Sequence, residues 1–316
     1  QKLQTIYFMG CVKIDVRHYF LYIPINNGGN TMWIIQAALY GILKGGRDVM
    51  KKIALTKSSK LEVLVFYTLL SFILVLPKTR EAVAIFNGQT VYLPLIFVKS
   101  AVIYVAWICS FYAIESLPIG FYGLMDMSRV VITSVLSIII FGENLTIGKA
   151  IGMVLVIDGL VMLNVSNNSI GKGENIQVKY VVLVLVSCLM NSCSEILDKW
   201  FMQPQRCITP SQLQFWYLLF LTLMYFVHIT LRHIKIDWKM IYKNYWIIIL
   251  AVAFVIGDRA LFCANRTGEV IPLTLLKQGA VIVTILGGKF VFGERNTLLK
   301  ILCAVVIVCG IVVGIV

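Results

Sequence analysis

The sequence predicts an all-α integral membrane protein of ten transmembrane helices, arranged as two inverted five-helix repeats. Three observations carry that expectation. Of the 316 residues, 59% are hydrophobic and only 14% are charged, with a mean hydropathy of +0.87. Soluble domains run nearer 45–50% apolar with roughly 25% charged, so this composition belongs in a bilayer. Next, the apolar residues fall into runs of helical, membrane-crossing length: about 284 residues follow Trp33, enough for roughly ten spans of about 20 residues with short loops. Finally, the chain repeats itself. An offset of 151 positions superposes Phe111 on Phe262, Leu124 on Leu275, Thr133 on Thr284 and Phe141-Gly142-Glu143 on Phe292-Gly293-Glu294 without a gap. Thr146 on Thr297, Lys149 on Lys300 and Gly159 on Gly310 continue the register. Chance matches of Val or Ile are cheap in so apolar a chain; a shared Phe-Gly-Glu with Thr and Lys in step is not.

Residues 1–31 read differently from the rest. They carry Asp15, Arg17, His18 and a polar Asn-Gly run ahead of Met32. Gly28-Gly29 can be encoded by a purine-rich ribosome-binding site. The head is therefore expected to be a non-native or disordered stretch, with Met32 as the native start; a real flexible tail is the alternative. Its charged and apolar parts are not in the order of a cleavable signal peptide.

The spans are expected at about 33–52, 61–77, 91–115, 119–141 and 146–165 in a first repeat covering 32–165. A polar connector, 166–179, leads to spans at about 180–201, 211–231, 244–265, 270–292 and 297–316 in a second repeat covering 180–316. All must be helices, because lipid offers no hydrogen bonds to an open backbone. Pro94, Pro118 and Pro272 fall in first turns, where a missing N–H costs little. Five spans per repeat is an odd number, so the second repeat enters the membrane in the opposite sense. Secondary transporters are commonly built this way, with the site at the repeat interface near the midplane. The basic loops after spans one, five and seven share one side. The positive-inside rule makes that side cytoplasmic and puts both termini outside.

The net charge of +13 would suggest a nucleic-acid partner in a soluble protein. Here Lys and Arg collecting in short loops explains it, and no nucleic-acid partner is expected. Cysteines such as Cys188 and Cys303 lie inside apolar runs, where free Cys packs as a small hydrophobe. No Cys-x-x-Cys or Cys/His spacing suggests zinc or redox chemistry. No Ser-His-Asp set, paired carboxylates or phosphate-cradling Gly-rich loop is present. No enzyme activity, cofactor or metal is expected.

Ionisable groups inside a span face a bundle interior or a water-filled cavity by default. In span one, Gln36, Tyr40, Lys44, Arg47 and Lys51 follow one another at steps of three or four, on one helical face. Span six repeats the pattern with Ser187, Asn191, Glu195 and Asp198, span four with Asp126, Arg129, Thr133 and Ser137, and span nine with Thr274, Lys277, Thr284 and Gly288. Four polar stripes can line one cavity. Lys277, Asp126 and Arg129 are the first candidates for contact with substrate or coupling ion, followed by Lys44, Glu195, Arg259 and Lys99. The structural alternative is that Asp126 and Arg129, three apart, neutralise each other, and that Lys44 and Arg47 snorkel. Asp258 and Arg259 point about 100° apart, so each should have its own partner. The repeat register makes Asp126 and Lys277 equivalent, each 17 residues before the glutamate of its Phe-Gly-Glu. Gly41-x-x-x-Gly45, Gly148-x-x-x-Gly152 and Gly310-x-x-x-Gly314 suit close helix approach, within the bundle or in a homodimer.

With these residues in view the chain resembles the drug/metabolite transporter superfamily, in its EamA-like branch. Phe111–Val165 and Phe262–Val316 are similar to that family's helix, Gly-Glu turn, following Thr and last apolar helix. The resemblance implies ten helices in two repeats and a cargo among amino acids, other metabolites, toxic compounds, sugar phosphates or nucleotide sugars. In the sugar-phosphate and nucleotide-sugar branch a ninth-helix Lys helps hold the phosphate. Lys277 stands at that place, but Gln278 follows where that branch often has Arg, and Asp126 stands where it has a fourth-helix Lys. Members usually keep both termini in the cytoplasm, against the loop count. The expected function is thus export of a small polar or amphipathic metabolite, by proton coupling or exchange, across a bacterial plasma membrane. A sugar-phosphate or nucleotide-sugar exchanger is the alternative, and a lipid flippase or non-transporting scaffold the reading of another class. The expected partners are the small-molecule substrate and the lipid bilayer.

Overall fold

The computed structural model describes residues 32–116, 128–168, 178–234, 236–239, 243–292 and 297–315. The head, the start of span four with Asp126, the middle of the connector and the second Phe-Gly-Glu turn lie outside the described residues. Helices fill nearly all of what is described, and no strand occurs among those residues.

The first half supplies α1 (Met32–Leu55), α2 (Lys60–Val75), α3 (Leu93–Ser116), α4 (Ser128–Phe141) and α5 (Ile147–Asn168). The second supplies α6 (Val178–Phe201), α7 (Pro210–Leu231), α8 (Trp246–Thr267), α9 (Val270–Gln278), α10 (Ala280–Phe292) and α11 (Thr297–Ile315). Local chemistry sets several of these limits. Ser59 opens α2 and Thr209 opens α7 through reciprocal capping boxes with Glu62 and Gln212, which satisfy N–H groups the helix itself leaves unpaired. Pro77, lacking an N–H, ends α2 as a helix, and short helical turns carry the chain on to Phe86. Gly142 adopts φ 66°, a left-handed conformation that stops α4 at low cost. Where one continuous ninth span is expected, the helix breaks at Gly279 into α9 and α10.

Among the described residues, five stretches are long and apolar enough to cross a membrane: 60–86, 90–113, 178–201, 210–231 and 246–267. Helix α1 is long enough but carries Lys44, Arg47, Asp48 and Lys51, and the break at Gly279 leaves α9 and α10 short.

The halves are interleaved rather than stacked. Helix α1 packs on α8, and α3 on α6; α2 packs on α8, and α3 on α7; α1 packs on α9 and α10, and α4 on α6. Each pair turns into its mate when the halves are exchanged. The pairs α2–α7, α4–α9 and α5–α11 turn into themselves. The largest apolar core fills the space between α2, α3, α7 and α8, with Phe66, Tyr217, Leu218 and Phe254 buried in it.

Small residues set the closest approaches. A Cβ added at Gly152 would stand 2.6 Å from Gly314 Cα and 2.7 Å from Gly310 O, inside any tolerable contact, so α5 and α11 touch backbone to backbone. The small residues of those two helices thus serve an intramolecular contact. On α1, a Cβ at Gly45 would lie 2.3 Å from Ala280 O, so the paired glycines Gly41 and Gly45 let this helix lie directly on the break between α9 and α10.

The first Phe-Gly-Glu turn joins the halves at another point. Glu143 reaches across to α9 and accepts hydrogen bonds from Val270 N at 2.5 Å and Ile271 N at 3.1 Å. An anionic side chain thereby satisfies two N–H groups at the positive end of a helix dipole. Lys149 Nζ donates to Asn144 O at 3.1 Å and pairs with Glu269. Lys199 Nζ donates to Asn265 O and Gly268 O, at 2.9 and 2.5 Å.

Candidate functional site

The close seat of α1 on the α9–α10 break places charged residues of both halves together in the interior. At the centre stands Glu195 on α6. Its carboxylate accepts from Arg129 of α4, lies 3.3 Å from Lys277 Nζ of α9, and accepts from Thr133 Oγ1 at 3.4 Å. Ser192 Oγ, one turn earlier on α6, accepts from Thr133 Oγ1 at 3.0 Å. Lys277 and Glu195 are buried, and Arg129 is half-buried. The charge of Lys44 on α1 also bears on both Glu195 and Lys277, and Lys277 Nζ stands 5.9 Å above the Tyr40 ring. Buried hydroxyls of Ser134, Ser137 and Thr274 on α4 and α9 lack hydrogen-bond partners among the described residues.

One turn along α6 a second charged centre begins. Lys99 of α3, 1% exposed, brings Nζ to 3.0 Å from Asp198 Oδ1, an ion contact rather than an aligned hydrogen bond. The ammonium also lies 4.1 Å from the Tyr217 ring centroid, within cation–π range. Tyr217 donates its hydroxyl proton to Asp258 of α8. On α1, Arg47 donates to Tyr40 Oη at 3.5 Å and sits 5.0 Å from the Phe254 ring. Five cations and three carboxylates thus share the interior, on helices where each unpaired charge would be expensive.

Of the residues expected from the sequence, Lys277, Arg129, Glu195 and Lys44 come together around one carboxylate. Lys99 belongs to the neighbouring centre. Arg259 points elsewhere and donates to Ser211 Oγ at 2.9 Å, at the start of α7. Asp258 and Arg259 do have separate partners. Asp126 lies outside the described residues, so its pairing with Lys277 by register has no geometry here. Asp158 on α5 is exposed. Sequence reasoning placed Asp198 and Arg47 on polar stripes without selecting them, and missed Tyr217 altogether. The stripe itself was the signal for the first two. A lone Tyr in an aromatic-rich helix gives no such signal, since its hydroxyl partner sits on another helix. Among the described residues no group of three His, Cys, Asp or Glu could hold a metal ion.

No curated protein matches the chain. A solved structure titled only "Crystal structure of protein" superposes with a TM-score of 0.67 over 88% of this chain and 95% of its own, at 14% identity, a likeness of fold. Residues 31–165, the stretch that supplies Lys44, Lys99 and Arg129, match the EamA-like transporter family.

Proposed function

We propose that the protein is a secondary transporter that exports a small polar or amphipathic metabolite across a bacterial plasma membrane, by alternating access between two inverted five-helix repeats. The observation that carries this reading is the charged cluster around Glu195. It draws Lys44 and Arg129 from the first repeat and Lys277 from the second, where an inverted-repeat transporter keeps its cargo. The self-matching pattern of helix pairs supports the repeat, and the 151-residue offset in the sequence supports it independently. A structural scaffold has no need for charges in this position, because apolar residues of similar volume would hold the helices as well or better.

Rocking of the repeats has a definite chemical meaning here. Glu195 is held by cations on α4 and α9, so relative movement of those helices alters how many cations it faces. Cargo or a proton arriving at the cluster changes the same count. Coupling by proton antiport or by exchange is the form this takes in the proposal. Asp126, in register with Lys277, is a further candidate for the proton.

Thermal-shift screening of the purified protein against pools of metabolites tests the reading, with Lys277→Ala run in parallel. The expected result is stabilisation by a small set of solutes, lost in the variant. Ligand responses that survive Lys277→Ala unaltered would place the site elsewhere, and a protein that neither binds nor moves any solute in liposomes would refute the transporter.

A further inference from the structure

We propose that the cargo carries a single net negative charge on one carboxylate and that Lys44 is the group that receives it. The inference rests on the transporter reading above and deepens it. Lys44 is the thirteenth of 24 residues in α1, so it sits near mid-helix, far from either end to which its amine could reach. Among the described residues it has no hydrogen-bond or ion-pair partner, although the neighbouring cations Lys277, Lys99 and Arg129 each face a carboxylate.

Its exposure is also in the wrong place for lipid. The outward face of α1 is marked by Ile35, Leu39 and Ile42, at 61%, 43% and 56% exposure. At about 100° per residue, Lys44 stands about 180° from Ile35 and about 160° from Ile42 around the helix. It shares its side with Ala37 and Tyr40, which are buried. A partly exposed side chain on the buried side of α1 faces the bundle rather than lipid, on the side where Gly41 and Gly45 meet α9 and α10.

Charge counting sets the class of ligand. Lys99 and Arg47 face Asp198 and Asp258, two against two. Arg129, Lys277 and Lys44 face Glu195. Crediting Asp126, three residues before Arg129 in the sequence, to that group still leaves one cation in excess. An unmatched ammonium in a low-dielectric interior is costly, and a ligand with a single negative charge removes the cost. A carboxylate fits. A phosphate monoester brings about −1.5 to −2 and overfills the site, and a neutral or cationic solute leaves Lys44 unanswered.

The test uses the full chain in detergent and in liposomes, with a fixed panel of probes: lactate, benzoate, succinate, glycerol 3-phosphate, glucose and betaine. Lactate or benzoate should stabilise the wild type and drive counterflow, and succinate, glycerol 3-phosphate, glucose and betaine should not. Losing one charge-assisted contact should weaken monocarboxylate binding in Lys44→Gln about tenfold or more, with Lys44→Arg keeping most of it. Lys44→Cys supplies a second readout, since a monocarboxylate should slow its reaction with a water-soluble thiol reagent. Unchanged monocarboxylate binding in Lys44→Gln overturns the assignment of Lys44. Preference for succinate, glycerol 3-phosphate, glucose or betaine overturns the ligand class while leaving a transporter. A wild type that moves no panel member and no pooled metabolite overturns both.

Discussion

Two charged centres lie one turn apart on α6, and they are built to opposite rules. At Asp198 the charges are matched and sealed: Lys99 is almost inaccessible, aromatic rings of Tyr217 and Phe262 cover its ammonium, and the neighbouring Asp258 accepts a hydrogen bond from the Tyr217 hydroxyl. At Glu195 one carboxylate among the described residues faces three cations, and one of these, Lys44, is the partly exposed group proposed above to receive the cargo. Burial is therefore a poor guide to function by itself. A matched pair closed by aromatic rings behaves as structure, whereas an unmatched, reachable set is where a solute can act.

The comparison can be broken most directly at Asp198. Asp198→Ala leaves Lys99 buried and unpaired, and unfolding in detergent should show a loss of about 3–5 kcal/mol. Replacing both partners, Lys99→Met with Asp198→Leu, should recover most of that loss. A double variant as unstable as the single one would show that the pair serves something other than mutual neutralisation. Removing the hydroxyl in Tyr217→Phe takes a donor from buried Asp258 and should cost about 1–3 kcal/mol in the same measurement, with solute binding retained. At the other centre the effects should reverse. Glu195→Gln should abolish counterflow while costing less stability than Asp198→Ala, because cations beside an interior space can be met by water or anions. The smallest change belongs to the periphery. Lys149→Ala removes an ion pair whose partner Glu269 is 58% exposed, and thermal unfolding should shift by no more than about 1 kcal/mol.

Much of the helical framework was legible because hydrophobic runs and their interruptions are written in the chain itself. Span six is expected at 180–201 and found at Val178–Phe201; span seven, at 211–231, is found at Pro210–Leu231. The break at Gly279 was not legible. A lone glycine inside an apolar run is tolerated in a helix, and only the pressure of α1 against this point gives it a structural meaning. The polar stripes told which helix faces carry charge, yet not who pairs with whom. Glu195 with Arg129 is 66 residues apart and Lys99 with Asp198 is 99 apart, distances over which spacing carries no information. The register of the repeat makes Lys277 equivalent to Asp126, which lies outside the described residues; the contact of Lys277 with Glu195 could not be read from that register.

Helix α6 has a consequence for how the protein is made. In the proposed transporter Lys99 and Arg129 would enter the membrane with the first half, and two carboxylates that face them, Asp198 and Glu195, would arrive only with α6. A nascent chain that stops at the connector therefore holds buried cations without these counter-ions. It should be held by the insertion machinery, or degraded, until the ribosome has delivered Phe201. Biogenesis of the first five helices is in this sense provisional, and the sixth makes it permanent.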